Sequence, residues 1–144
     1  MPDWVQAAYQ EYSKRLPAEL KLELVEIPLG SRRKGEQARR AIEQEGKSLL
    51  KAVVKREHVV ALSVEGRPWS TEKLAQNLLT WQGGGNNVSL LVGGPDGLDD
   101  SCLKRADEQW SLSAMTLPHP LVRVIVAEQL YRAWSINAGK SYHR

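Results

Sequence analysis

The segment SLLVGGPDGL, residues 89–98, runs an apolar stretch straight into a glycine-rich turn. Gly93, Gly94 and Gly97 let backbone amides approach a ligand closely and allow positive φ, and Pro95 stiffens the turn. The pattern is neither a P-loop, which needs Lys-Ser/Thr after its last glycine, nor the GxGxxG dinucleotide fingerprint. A plain tight turn after a strand has the same local sequence. A second segment, Ser113-Ala114-Met115-Thr116-Leu117-Pro118, is a loop with no charge. Loops normally meet water and are polar, so this one must be covered by the fold, a ligand or a partner subunit. Its small side chains and free backbone groups suit an adenine edge, which main-chain N–H and C=O can read. His119 follows, bracketed by Pro118 and Pro120. The last four residues, Ser141-Tyr142-His143-Arg144, set an aromatic ring, an imidazole and a guanidinium side by side. That mixture suits stacking on a base, proton transfer and phosphate contact. A four-residue terminus can equally be idle. Arg132 stands one helical turn after Glu128, the spacing of an ordinary ion pair. His58, at a strand start, reads as structural, and Cys102 as an inert small hydrophobe.

The elements that must position these residues alternate between helical and strand patterns. Asp3 can cap a helix reaching Leu16, with Trp4, Val5, Ala8, Tyr9 and Tyr12 on its apolar stripe. Residues 20–27, LKLELVEI, alternate as a strand with one covered face, ended by Pro28 and Gly30. A helix is expected over 36–54, a buried strand over 58–64, and a helix from Ser70 and Thr71 to Trp81. A buried strand over 87–92, a short helix over 99–106 and a short strand over 108–113 follow. The final helix, from 119 to 136, is apolar on more than one side, which suggests a second partner surface such as a twofold dimer or a central place in a small domain. Such alternation predicts an α/β fold with a mostly parallel sheet covered by helices on both faces. Ligands in such sheets sit outside the carboxyl ends of the strands, which points to loops 62–69, 93–98 and 113–120. The five tryptophans are spread along the elements, a distribution expected of core packing rather than a base-stacking platform.

The 144 residues are enough for one domain with a real core. No stretch approaches the ~20 apolar residues of a membrane helix. The amino-terminal sequence lacks a basic-then-apolar leader, and one cysteine cannot form an internal disulfide or a multi-cysteine zinc site. A cytosolic protein without a metal is therefore expected. The net charge is +3, and residues 31–40, SRRKGEQARR, carry +4 of it, so the rest of the chain sums to −1. Concentrated basicity is the footprint of a polyanion contact, although a solvated loop has the same composition.

GGPDGL, WSLSAMTLPHPLVRVIVAEQLYRAWSI and the terminal YHR together resemble the ribosomal RNA large subunit methyltransferase H family. The resemblance extends through MPDWVQ, LVEIP and VEGRPWST, and so covers essentially the whole chain. It implies a single SPOUT methyltransferase domain over residues 1–144, with a C-terminal trefoil knot, one of the exceptions to unknotted topology. Family members begin with a further short apolar strand, which this chain is expected to lack; a missing strand would leave backbone hydrogen-bonding groups exposed. The resemblance also implies S-adenosylmethionine as cofactor, a working homodimer, and N3 methylation of a pseudouridine in a stem-loop of 23S rRNA on the assembled ribosome. The knot loops holding the cofactor would be Gly93, Gly94, Pro95 and Gly97 together with Leu112, Ser113, Ala114, Met115, Thr116 and Leu117, with Leu62 on a neighbouring strand. Removal of the N3 proton asks for a base or a positive field, for which His119, His143 and Arg132 are the catalytic candidates, with Arg144 beside them. Arg32, Arg33 and Lys34, with Tyr142 and Arg144, would contact RNA. A non-catalytic RNA-binding module on the same fold is the alternative.

Overall fold

The computed structural model describes residues 2–30, 37–85 and 87–143, with Gln37 and His143 described through their backbone alone. The helices are α1 (Asp3–Ser13), α2 (Gln37–Ala52), α3 (Thr71–Gly83), α4 (Asp100–Arg105) and α5 (His119–Asn137). The strands are β1 (His58–Pro68), β2 (Val88–Leu91) and β3 (Glu108–Ser111), and a short 3-10 turn spans Ser141–His143. Among the described residues the sheet has three strands in the order β2-β1-β3, and both pairings are parallel. The expected α/β class with a parallel sheet is therefore present.

The chain divides into two compact units. One, Val25–Pro68 with Asn87–His119, carries the sheet, α2 and α4. Its central strand, β1, buries three consecutive residues, Val59, Val60 and Ala61, which requires cover on both faces. Burial of each valine side chain contributes roughly 1.5–3 kcal/mol. Val59, Leu91 and Cys102 form the core cluster, packed by Leu49 and Leu50 of α2, by Val53 just past its end, and by Leu98 and Ala106. Cys102 is fully buried and lies 3.7 Å from the Gly46 carbonyl, and burial pushes its thiol pKa up, so it is the inert hydrophobe the sequence suggests. The β1–β3 register runs from Val60↔Glu108 to Leu62↔Trp110, then shifts so that Arg67 also faces Trp110. Gly66 permits that return, because a Cβ there would lie 2.7 Å from the Gln109 carbonyl carbon.

The second unit, Met1–Leu24, Trp69–Asn86 and Pro120–Arg144, holds α1, α3 and most of α5. Its buried side chains include Val5, Leu74, Leu78, Val126 and Leu130. Ser70 caps α3 by accepting from the Lys73 amide at 3.0 Å, as the sequence predicts. Asn137 at the end of α5 donates to the Ala75 carbonyl of α3 at 3.0 Å.

Several expectations are corrected. Residues 20–27 form no strand: the apolar alternation is there, but no neighbouring strand pairs with it among the described residues, and Leu24 and Val25 are exposed. Asp3 sits in the first turn of α1 rather than capping it, and the cap position is Pro2. The helix stops at Ser13, ahead of the helix-breaking Pro17, and its Trp4 is 59% exposed rather than on a buried stripe. Strand β2 buries only Leu91, because it lies at an edge of the described sheet.

Candidate active site

Parallel pairing brings the carboxyl ends of β2 and β3 to the same edge of the sheet, one on each side of β1. The glycine turn leaves β2 there and the uncharged loop leaves β3 there. The loop positions expected to face a ligand are therefore neighbours in the fold, as the topology rule for such sheets requires. Leu62 stands on β1 opposite Trp110, one residue before the end of β3.

The turn folds back on its own backbone. Gly97 donates its amide to the Gly94 carbonyl at 3.1 Å, and these two residues form an isolated antiparallel bridge. Gly97 has φ +86°, which a side chain would strain, and a Cβ on Gly93 would lie 2.6 Å from the Gly97 carbonyl carbon. Asp99 then starts α4, its carboxylate accepting from the Ser101 amide and hydroxyl, and those bonds hold its pKa below the usual range. Pro95 is exposed at the tip of the turn. The loop after β3 is shaped by its own serines. The Ser111 hydroxyl donates to the Ser113 carbonyl at 3.0 Å, and the Ser113 hydroxyl accepts from the Met115 amide at 3.0 Å. The loop is not buried by the fold: Met115 is 73% exposed, Ala114 and Thr116 are exposed, and Leu112, Ser113 and Leu117 are half-buried. Of the three covers the missing charge allows, the fold is thus not the one used. Main-chain groups held open by glycines, beside an exposed apolar loop with no charge, fit an adenosine-containing cofactor such as S-adenosylmethionine.

His119 is the first residue of α5 and belongs to the sheet unit with these loops. Arg132 and Tyr142 belong to the helical unit. The Arg132 guanidinium donates through Nε to Glu128 Oε1 at 2.8 Å, so the ordinary ion pair predicted from spacing is formed. Its pKa is raised chiefly by that bond. Tyr142 donates its hydroxyl to the same oxygen at 3.3 Å, and its ring meets Tyr131 edge-on at 4.6 Å. Burial is the main cause of the raised Tyr142 pKa. Arg32, Arg33, Lys34 and Arg144, and the side chain of His143, lie outside the described residues. Within the basic run, Arg39 and Arg40 are exposed on α2, with Arg39 3.7 Å from Glu43.

Two groupings were not readable from the sequence. Arg15 lies 5.4 Å over the Tyr12 ring and 5.8 Å over the Tyr131 ring, joining residues more than a hundred positions apart. His58 Nε2 is 2.7 Å from Glu108 Oε2, while the Asp107 carboxylate accepts from the Val59 amide at 2.8 Å. His58 is thus structural, as expected, and it helps tie the starts of β1 and β3 together.

Comparison with known proteins places the chain in a family. A family model described as "Predicted SPOUT methyltransferase" matches residues 1–143. Ribosomal RNA large subunit methyltransferase H of Hahella chejuensis is 54% identical over 144 residues, covering all of this chain and 92% of the relative. The proteins of that name from Saccharophagus degradans and Pseudomonas aeruginosa are 56% and 55% identical, each covering all of this chain and 93% of the relative. With residues 1–143 of its 144 matched by that family model, this chain belongs to the SPOUT methyltransferases, enzymes whose methyl donor is S-adenosylmethionine.

Proposed function

We propose that this protein methylates N3 of a pseudouridine in a stem-loop of 23S rRNA on the assembled ribosome. The observation that carries the reading is the pair of loops at the carboxyl edge of the sheet, in a chain that matches rRNA methyltransferases from end to end. The chain is read as a single SPOUT domain whose C-terminal segment forms the family's trefoil knot. S-adenosylmethionine, when bound, supplies an electrophilic methyl group. Gly93, Gly94, Pro95 and Gly97, with residues 112–117 and Leu62, would hold it through main-chain and apolar contacts.

The protein's own residues have three tasks. The substrate base must be placed in line with the methyl group, since orientation supplies much of the rate. The N3 proton must be taken up, for which His119 and His143 are the candidates. The negative charge that develops on the base must be offset, a task suited to Arg132. His119 and Arg132 stand thirteen residues apart on α5, about 20 Å of helix rise. One helix therefore cannot bring both to the same reacting atom. A homodimer in which substrate contacts cross between copies resolves this, and the exposed loop at 114–116 gives such contacts room. Arg32, Arg33 and Lys34, with Tyr142 and Arg144, are assigned to RNA. A cytoplasmic site of action follows from a ribosomal substrate, and no helix among the described residues is long and apolar enough to cross a membrane.

The test is transfer of labelled methyl from S-adenosylmethionine to whole ribosomes lacking the modification, with bare rRNA as control. Label in the 23S rRNA of intact ribosomes is the expected result. Ribosome binding with no transfer would favour the non-catalytic RNA-binding module. Replacing Arg32 and Arg33 together by Ala is expected to flatten the salt dependence of ribosome binding by about two charges' worth of slope. S-adenosylmethionine affinity should stay unchanged, and an unaltered salt slope would remove the basic run from the RNA interface.

A further inference from the structure

One carboxylate joins α5 to the chain end that follows it. Glu128 Oε1 accepts from Arg132 Nε at 2.8 Å and from Arg132 Nη2 at 2.5 Å, and the Tyr142 hydroxyl donates to the same oxygen at 3.3 Å. The other oxygen, Oε2, accepts from Gln129 Nε2 at 2.9 Å. Gln129 Oε1 in turn accepts from Thr71 Oγ1, at the first residue of α3, at 2.8 Å. The Glu128 side chain is 17% exposed, so its charge is largely withdrawn from water and depends on these donors. The Arg132 guanidinium also lies 5.0 Å over the Tyr142 ring.

An ordinary ion pair one helical turn apart holds two side chains. This network connects α3, α5 and the 3-10 turn, all within the helical unit. A free arginine samples many rotamers. Held at both Nε and Nη2, Arg132 keeps its charge but loses that freedom.

We propose that Glu128 is a positioning residue for methyl transfer. It holds Arg132 and the Tyr142 hydroxyl in the placement the substrate base meets. The proposal rests on the roles assigned to Arg132 and Tyr142 above. Glu128 is assigned no contact with substrate or cofactor, only with the groups it positions. The loops proposed for the cofactor belong to the sheet unit, and none of the Glu128 hydrogen bonds described above goes to them. Its removal should therefore act on turnover and leave cofactor binding alone.

The experiment compares wild type, Glu128→Gln, Arg132→Ala and the double variant in methyl transfer to ribosomes lacking the modification. The near-isosteric Glu128→Gln change is expected to lower kcat about 10–100-fold, with the S-adenosylmethionine Kd measured by calorimetry held within about twofold. The double variant should be slower than Arg132→Ala by no more than about twofold, because a positioning group acts through the group it holds. Full kcat in Glu128→Gln, or losses that multiply in the double variant, would overturn the proposal. A second measurement needs no turnover. Exchange of the Arg132 Nε–H with water, followed by nitrogen-15 NMR, is expected to quicken at least about tenfold in Glu128→Ala. Unchanged exchange also overturns it. If the wild-type protein transfers no methyl group, the rRNA reading falls, and the exchange measurement alone upholds or overturns the placement of Arg132 by Glu128.

Discussion

At the amino ends of the three parallel strands, polar side chains staple the sheet. The Asp107 carboxylate accepts from the Val59 amide at 2.8 Å, His58 bonds to Glu108, Ser89 donates to Glu57 at 2.6 Å, and Arg105 donates to the Glu57 carbonyl at 2.9 Å. At the carboxyl ends the hydrogen bonds described for the two loops are local ones. The first turn is closed by glycine backbone and the second by two serine hydroxyls, and Met115 on the second is exposed. One end spends its polar side chains on strand register. The other spends its described hydrogen bonds within each loop, and it is the end proposed to take the cofactor. The difference means that a small parallel sheet can be locked by side chains at one end while, in the proposed reading, its other end stays receptive.

The largest effect expected from breaking this contrast is at the receptive edge. Gly93→Val would drive a side chain into the Gly97 carbonyl carbon, and S-adenosylmethionine affinity should fall at least about 100-fold, because the turn itself must deform. Calorimetric titration measures it. Retained affinity would mean the cofactor does not use this turn. Next comes the locked edge. The Asp107 pKa is held below its ordinary value first by the Val59 amide, with His58 and Arg105 adding to the effect. A carboxylate with a lowered folded pKa contributes stability above its unfolded pKa, and that contribution is lost as pH falls through the folded value. Asp107→Asn should cost about 1 kcal/mol near neutral pH and flatten the drop in thermal midpoint between about pH 5 and 3. Cofactor affinity at pH 7 should not follow it, and a parallel loss of affinity would show that the two edges are not independent. The smallest effect is expected from Ser113→Ala. It removes the acceptor for the Met115 amide but leaves the Ser113 carbonyl in place for Ser111, so affinity should weaken by only about twofold to fivefold. A larger loss would mean that the hydroxyl itself contacts the cofactor.

Residue order alone pointed to the two loops that the fold places at one edge of the sheet. Three glycines in GGPDG and the absence of charge over 113–118 are local signals, and parallel β/α alternation says where the ends of such strands meet. The same reasoning found the Arg132–Glu128 pair, because a helical turn is also local. It did not find that Tyr142 shares the Glu128 carboxylate, that Thr71 reaches Gln129, or that Arg15 lies over Tyr131. These contacts join segments far apart in the chain, and no spacing rule connects them. The alternating residues 20–27 mark the opposite failure. The pattern of a covered strand was present, but a strand needs a hydrogen-bonding neighbour, and pattern does not supply one.

What the sequence by itself determined is therefore what depends on nearest neighbours: which segments are helical, which glycines open a turn, where charge is missing, and the family these runs resemble. The tertiary structure alone decided which side chains share a partner. It bonded Asp107 to Val59, closed the Glu128 network across α3, α5 and the chain end, and left Met115 uncovered. The physical reason is range: backbone propensity acts over a few residues, whereas a hydrogen bond or a buried contact depends only on distance in space, which folding sets and sequence separation does not.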